Sequence, residues 1–122
     1  MIEIINLYLY RSISKARSGD YRDALKDINK AIKLNPYSYE AYHNRGIYKH
    51  NYLEDYQAAI EDYTKAIALN PSFESSYFNR AISKFSSKNY KGAIEDFDKT
   101  IQRNPLLSGA FHDRGAAKQE LN

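Results

Sequence analysis

The dipeptide Asn-Pro occurs at 35–36, 70–71 and 104–105, so its spacing is 35 and then 34 residues. This recurrence constrains the fold more than any composition does. A unit of that length makes one supersecondary element that cannot bury its apolar face alone, so neighbouring copies must stack. The segments before each Asn-Pro agree: GDYRDALKDINKAIKLNP, EDYQAAIEDYTKAIALNP and KNYKGAIEDFDKTIQRNP. Upstream of them lie LYRSISK, HNRGIYK and FNRAISK. After the last Asn-Pro comes HDRGAAK, so the front half of the unit occurs four times.

Each unit reads as two helices. Tyr56, Ala59, Ile60, Tyr63, Ala66 and Ile67 keep helical spacing and give the second helix one apolar face. Asp20, Asp55 and Asn89 stand where its N-cap belongs. Asn35, Asn70 and Asn104 are expected to end it in the left-handed conformation, and the following proline to launch the next helix. Ala24, Ala59 and Ala93, with Ala31 and Ala66, are small where helices approach closely. Thr100 replaces alanine in the third unit and is expected to loosen packing there.

The pattern closely resembles the tetratricopeptide repeat, with its leading aromatic and small residue on the first helix and its alanine, aromatic and closing proline on the second. Tyr8, Tyr42, Tyr77 and Phe111 fall on the leading aromatic; Ser12, Gly46, Ala81 and Gly115 fall on the small residue. The resemblance covers nearly the whole chain and implies a single domain over 1–122. Its repeats run over 5–36, 37–71 and 72–105, with a final helix at 107–121. The implied fold is an all-α, right-handed superhelical solenoid of antiparallel helix pairs, about three and a half units and seven helices. One residue is inserted in NYLEDY, which lengthens the turn inside the second repeat.

A second departure from the family pattern recurs in every unit. Arg11, Arg45, Arg80 and Arg114 replace its usual leucine, and Lys15, Lys49, Lys84 and Lys118 replace a later aromatic. These eight are almost half of the 18 basic residues. The family places them on a face that packs toward neighbouring helices, where an arginine buries its stem and turns its head to a carboxylate. Asp27, Asp62 and Asp96 recur in step and are the natural partners, with Glu61 and Glu95 beside them. A structural ion-pair ladder is the leading reading, and a nucleic-acid surface is the competing one.

In this family the first helices line the concave surface, which is the usual ligand site. That alignment puts Leu9, Ile13, His43, Ile47, His50, Phe78, Ile82, Phe85 and His112 there, with Arg17, Asn51 and Gln119 nearby. Helical spacing independently puts Phe78, Ile82 and Phe85 on one face. The implied ligand is an apolar or aromatic peptide segment, extended or helical; the alternative is that these side chains only complete packing between first helices. Some family members grip a terminal carboxylate with a clamp of Lys, Asn and Arg. Here Leu9 and Ile13 occupy the Lys and Asn of the first repeat, Asn44 matches, and Ser75 and Asn79 replace Lys and Arg. Chaperone-tail binding by that clamp is not expected.

The remaining classes are narrowed by composition. A chain of 122 residues that is 43% hydrophobic and 27% charged is an ordered globular protein. Its net charge of +3 does not by itself call for nucleic acid. The absence of cysteine removes disulfides and thiolate chemistry. His43 and His50 lie two turns apart, roughly 10 Å, too far to share a metal readily, so no metal site is expected. A groove whose polarity changes near neutral pH is the milder reading of these histidines. No phosphate-cradling glycine loop, nucleophile elbow or zinc-binding His-Glu motif is present, so neither an enzyme nor a cofactor is expected. The start, MIEIINLYLYR, is too short to span a bilayer, and a cytoplasmic protein without membrane contact is expected. Ala110, Ala117 and Leu121 on the last helix are expected to lack a burying partner. Self-association into a homo-oligomeric scaffold is therefore the second functional reading.

Overall fold

The computed structural model describes residues 2–122. Among the described residues seven helices follow one another: α1 (Ile2–Arg17), α2 (Tyr21–Leu34), α3 (Tyr39–Asn51), α4 (Tyr56–Leu69), α5 (Glu74–Ser86), α6 (Tyr90–Arg103) and α7 (Ser108–Leu121). Consecutive helices pack on each other along the chain. The odd-numbered helices also touch, α1 to α3, α3 to α5 and α5 to α7, whereas α2, α4 and α6 make no such mutual contact among the described residues. Closely set first helices and splayed second helices curve the stack, with the odd-numbered layer on the inside. The molecule is an all-α solenoid.

The turns explain how the register is kept. Asp20, Asp55 and Asn89 cap α2, α4 and α6, each side chain accepting from the amide three residues on. The amide of the capping residue donates to the carbonyl of Lys15, Lys49 or Lys84 at 2.8, 3.1 and 2.8 Å. The inserted residue of the second repeat is thus absorbed without moving either helix end. Asn35, Asn70 and Asn104 are extended, with φ of −142°, −144° and −141°, rather than left-handed. The proline that follows each of them excludes helical backbone and favours the extended region. In two of these turns the Asn side chain accepts from the amide two residues on, at Tyr37 and Ser72. Left-handed backbone is found instead at Gly19, Glu54 and Lys88, in the turns inside each repeat.

Small residues let the helices close. Ala24, Ala59, Ala66 and Ala93 are fully buried, and Ala31 nearly so. Thr100 does not loosen the third repeat: it is fully buried, and its hydroxyl donates to the Asp96 carbonyl at 2.9 Å, so its extra polar group is satisfied inside its own helix. Gly46 is needed for contact, because a Cβ there would fall 2.7 Å from the Tyr63 ring. Ala110 and Ala117 are also fully buried, since they face back into the stack, while Leu121 is 55% exposed. The expected unburied face of α7 is therefore limited to Leu121 among these three.

The basic ladder is an ion-pair ladder. Arg11, Arg45 and Arg80 each present Nε and Nη2 to both oxygens of one carboxylate, Asp27, Asp62 and Asp96, at 2.7–2.9 Å. Lys15, Lys49 and Lys84 close on the same carboxylates at 3.0–3.1 Å. The three aspartates are buried, whereas Glu61 and Glu95 are exposed. Each arginine lies over the leading aromatic of its own helix, 5.2 Å from Tyr8, 5.5 Å from Tyr42 and 5.6 Å from Tyr77. The bidentate fork welds the two helices of a repeat at one register.

Candidate peptide-binding groove

On the inner layer, three hollows run in a row, one at each joint between first helices. The first, about 300 Å³, is lined by Ile13, Ala16, Arg17, Tyr21, Asn44, Ile47 and Tyr48. The second, about 190 Å³, is lined by Ile47, His50, Asn51, Tyr63, Asn79 and Ile82. The third, about 150 Å³, is lined by Ile82, Phe85, Phe97, Asp113 and Ala116. Ile47 belongs to the first two and Ile82 to the last two, so the hollows form one trough. Ile13, Ile47, Ile82 and Ala116 occupy one register position in successive repeats, and Asn44, Asn79 and Asp113 occupy another. The trough thus has an apolar row flanked by a polar one.

The residues expected in a groove divide into two sets. Ile13, Ile47, His50, Ile82 and Phe85 line the hollows. Leu9 and His43 are buried. Phe78 is half-buried, 6.1 Å from Phe97 and beneath Gly109. His112 is at the same register but stands exposed on α7, its Nδ1 3.2 Å from Asp113. Leu9, His43 and Phe78 lie four residues before the isoleucines, which is about 40° around the helix, and that rotation tucks them under the neighbouring helices. Of this polar row the sequence marks only Asn44 and Asn79, at the clamp positions. Its signal in the sequence is recurrence at one period, which is also the signal of packing positions.

The two inner histidines of α3 each reach a serine of α5. His43 packs edge-on against Phe73, with ring centroids 4.9 Å apart, and its Nδ1 lies 2.9 Å from Ser76 Oγ. Asn79 Nδ2 approaches Nε2 at 3.4 Å. Donation by Asn79 leaves the ring proton on Nδ1, to be given to Ser76. Burial pushes the His43 pKa down to about 4, so its ring does not change charge near neutral pH, contrary to that expectation. His50 repeats the arrangement one repeat-length of serine away, with Nδ1 2.8 Å from Ser83 Oγ, and burial lowers its pKa too. Among the described residues no group of three His, Cys, Asp or Glu side chains is set to hold a metal. No helix described is long and apolar enough to cross a membrane.

A family model for the TPR repeat matches residues 49–85. Among solved structures, the first TPR of Spaghetti (RPAP3), bound to the HSP90 peptide SRMEEVD, matches with a TM-score of 0.94 at 21% identity. That match covers 98% of this chain and 94% of that one. The MamA protein matches with a TM-score of 0.90 at 28% identity, over 95% of this chain and 63% of that one. The TPR2B domain of yeast Sti1, in its pHsp70 complex, matches with a TM-score of 0.89 at 22% identity, over 97% and 98%. A search of curated proteins finds no match. With its period, its helix pairs and these likenesses in agreement, the chain carries a tetratricopeptide repeat at 49–85 and has the fold of that family.

Proposed function

We propose that the chain is a protein-interaction adaptor that lays an apolar or aromatic peptide segment along the trough of its first helices. The reading takes 1–122 as one domain, with the repeats at 5–36, 37–71 and 72–105 and the last helix at 107–121. The observation that carries it is the continuity of the three hollows through Ile47 and Ile82. Packed helices lie about 8–10 Å apart, so one hollow recurs per that distance. A polyproline-II segment advances roughly 9 Å in each three-residue turn, so every third side chain enters a hollow. The amides of Asn44 and Asn79 then serve the peptide backbone. The preferred ligand carries an apolar or aromatic residue at every third position. Peptide complexes of structurally similar domains, with the HSP90 peptide in one and pHsp70 in another, support the class of partner.

Selection of random displayed peptides on the purified chain tests this reading, with counter-selection on an Ile47→Asp, Ile82→Asp chain. Enrichment of apolar residues at intervals of three, lost on the doubly substituted chain, is the expected outcome. Enrichment indifferent to the two substitutions removes the trough as the site. A second reading, self-assembly, rests on the outer face of α1, where Leu7 and Tyr10 are 57% and 59% exposed. Light scattering across a concentration series decides it; a constant monomer mass excludes it.

A further inference from the structure

Two polar register positions recur along the trough, and each is charged in one place. Asn44 in the first hollow and Asn79 in the second give way to Asp113 in the third. Asn51 in the second hollow has Arg17 as its counterpart in the first. The first hollow thus carries a cation and the third an anion. The second is lined by no Asp, Glu, Lys or Arg.

The stack itself uses neither charge. Arg17 stands exposed in the last turn of α1, whose ion pairs are made by Arg11 and Lys15. Asp113 meets one polar side chain among the described residues, that of its neighbour His112, with Nδ1 3.2 Å away. The reason lies on the preceding first helix. Asn79 reaches back to His43, Nδ2 to Nε2 at 3.4 Å. Asp113 likewise faces α5, lining the hollow with Ile82 and Phe85, but Phe78 stands there in place of His43 and offers no polar atom. Two helix spacings separate the charged hollows, roughly 20 Å, which exceeds the Debye length at physiological salt, so Arg17 and Asp113 do not neutralise each other.

We propose that Arg17 and Asp113 select the bound segment by charge: it carries an acidic residue beside its anchor in the first hollow and a basic residue beside its anchor in the third. The inference rests on the adaptor reading above and adds which segments the trough takes and which way they lie. A segment gripped only by apolar side chains at every third residue fits the trough in either direction. Unlike charges at the first and third hollows admit one direction for a given sequence. They also penalise a segment with like charges on both flanks, because one flank then meets its own sign. Three anchors at every third residue, with one charge before and one after, make a segment of about nine residues.

Four capped peptides test this, each with leucine at its second, fifth and eighth positions and proline between. Their outer two residues are glutamate with lysine, two glutamates, two lysines or two glutamines. Anisotropy of a neutral dye on the cap reads their affinity for the full chain. The mixed-charge peptide is expected to bind about fivefold tighter than either like-charged peptide, with the glutamine peptide between, and added salt shrinks the difference. Arg17→Glu turns the preference to two lysines, Asp113→Lys turns it to two glutamates, and the double substitution restores the mixed pair. Arg17→Gln and Asp113→Asn each remove one preference and are expected to melt as the parent does, since neither side chain makes an ion pair across helices. Equal binding of all four peptides, lost on the Ile47→Asp, Ile82→Asp chain, keeps the trough and overturns the charge assignment. So does a preference that the Arg17 and Asp113 substitutions leave unmoved. No binding of any of the four up to about 1 mM overturns the trough and this assignment together. A concentration-dependent dimer that the mixed-charge peptide dissociates gives the trough to a second copy and overturns the assignment to a partner's segment.

Discussion

Arg80 holds Asp96 by two parallel hydrogen bonds, Nε and Nη2 each 2.8 Å from a carboxylate oxygen, and the aspartate side chain is only 2% exposed. A carboxylate so desolvated needs its partners, because an uncompensated buried charge is strongly destabilising. The same fork recurs at Arg45 with Asp62 and at Arg11 with Asp27. It is the main polar connection between the two helices of a repeat.

Arg80→Met is expected to lower the unfolding free energy by on the order of 3 kcal/mol, with Lys84 still holding one side of Asp96. Arg11→Met destabilises less, because the Arg11 side chain is 47% exposed and water replaces part of the lost bond. Urea titration of both variants checks the order. Equal losses would mean that burial does not set the strength of the ladder.

Gly46→Ala and Gly115→Ala are expected to act in opposite directions. The first forces a methyl to within 2.7 Å of the buried Tyr63 ring and destabilises by about 1–3 kcal/mol. The second meets open space in a helix interior and stabilises by up to about 1 kcal/mol. Thermal melts of the two chains read the sign directly.

Stability is expected to fall on mild acidification. The folded His43 ring titrates at about 4, against 6.5 ordinarily. Between those values the unfolded chain binds a proton that the folded chain refuses, so lowering the pH favours unfolding, on the order of 3 kcal/mol across the window. His50, also lowered, acts in the same direction. The Arg11 fork holds the Asp27 carboxyl below its usual 3.8, so that stabilisation persists above 3.8 and is lost only at still lower pH. Urea midpoints at pH 7, 5.5 and 4.5 should decline less steeply in His43→Gln than in the parent chain.

The SRMEEVD peptide, a ligand of a structurally similar domain, is expected to bind this chain no better than a scrambled control. Leu9, which stands at one basic clamp position, is buried, and Ser75 and Asn79 stand at the others. Isothermal titration of both peptides tests it. Selective micromolar binding of SRMEEVD would show that carboxylate recognition here uses other residues.

What the sequence determined by itself is the pairing of helices and of ladder charges that recurs with its period. Three Asn-Pro pairs, four front halves and matched Arg, Lys and Asp positions specified paired helices, their caps and the partners of the ladder. Stacked units repeat their contacts, so a contact made once is made again at the same offset. Single turns were less legible: the proline after Asn35, Asn70 and Asn104 overrode the asparagine's own preference for left-handed backbone.

Only the tertiary structure decided which inward residues stay open. Ile47 and His43 recur as neighbours on one helix face, yet Ile47 lines two hollows while His43 is sealed by Phe73 and Ser76. The difference is about 40° of helix rotation combined with the approach of the next repeat, and periodicity is blind to both. The same reason separates Gly46 from Gly115. Their local sequences match, HNRGIYK and HDRGAAK, and only the presence or absence of a helix across from them makes one a packed joint and the other an open surface.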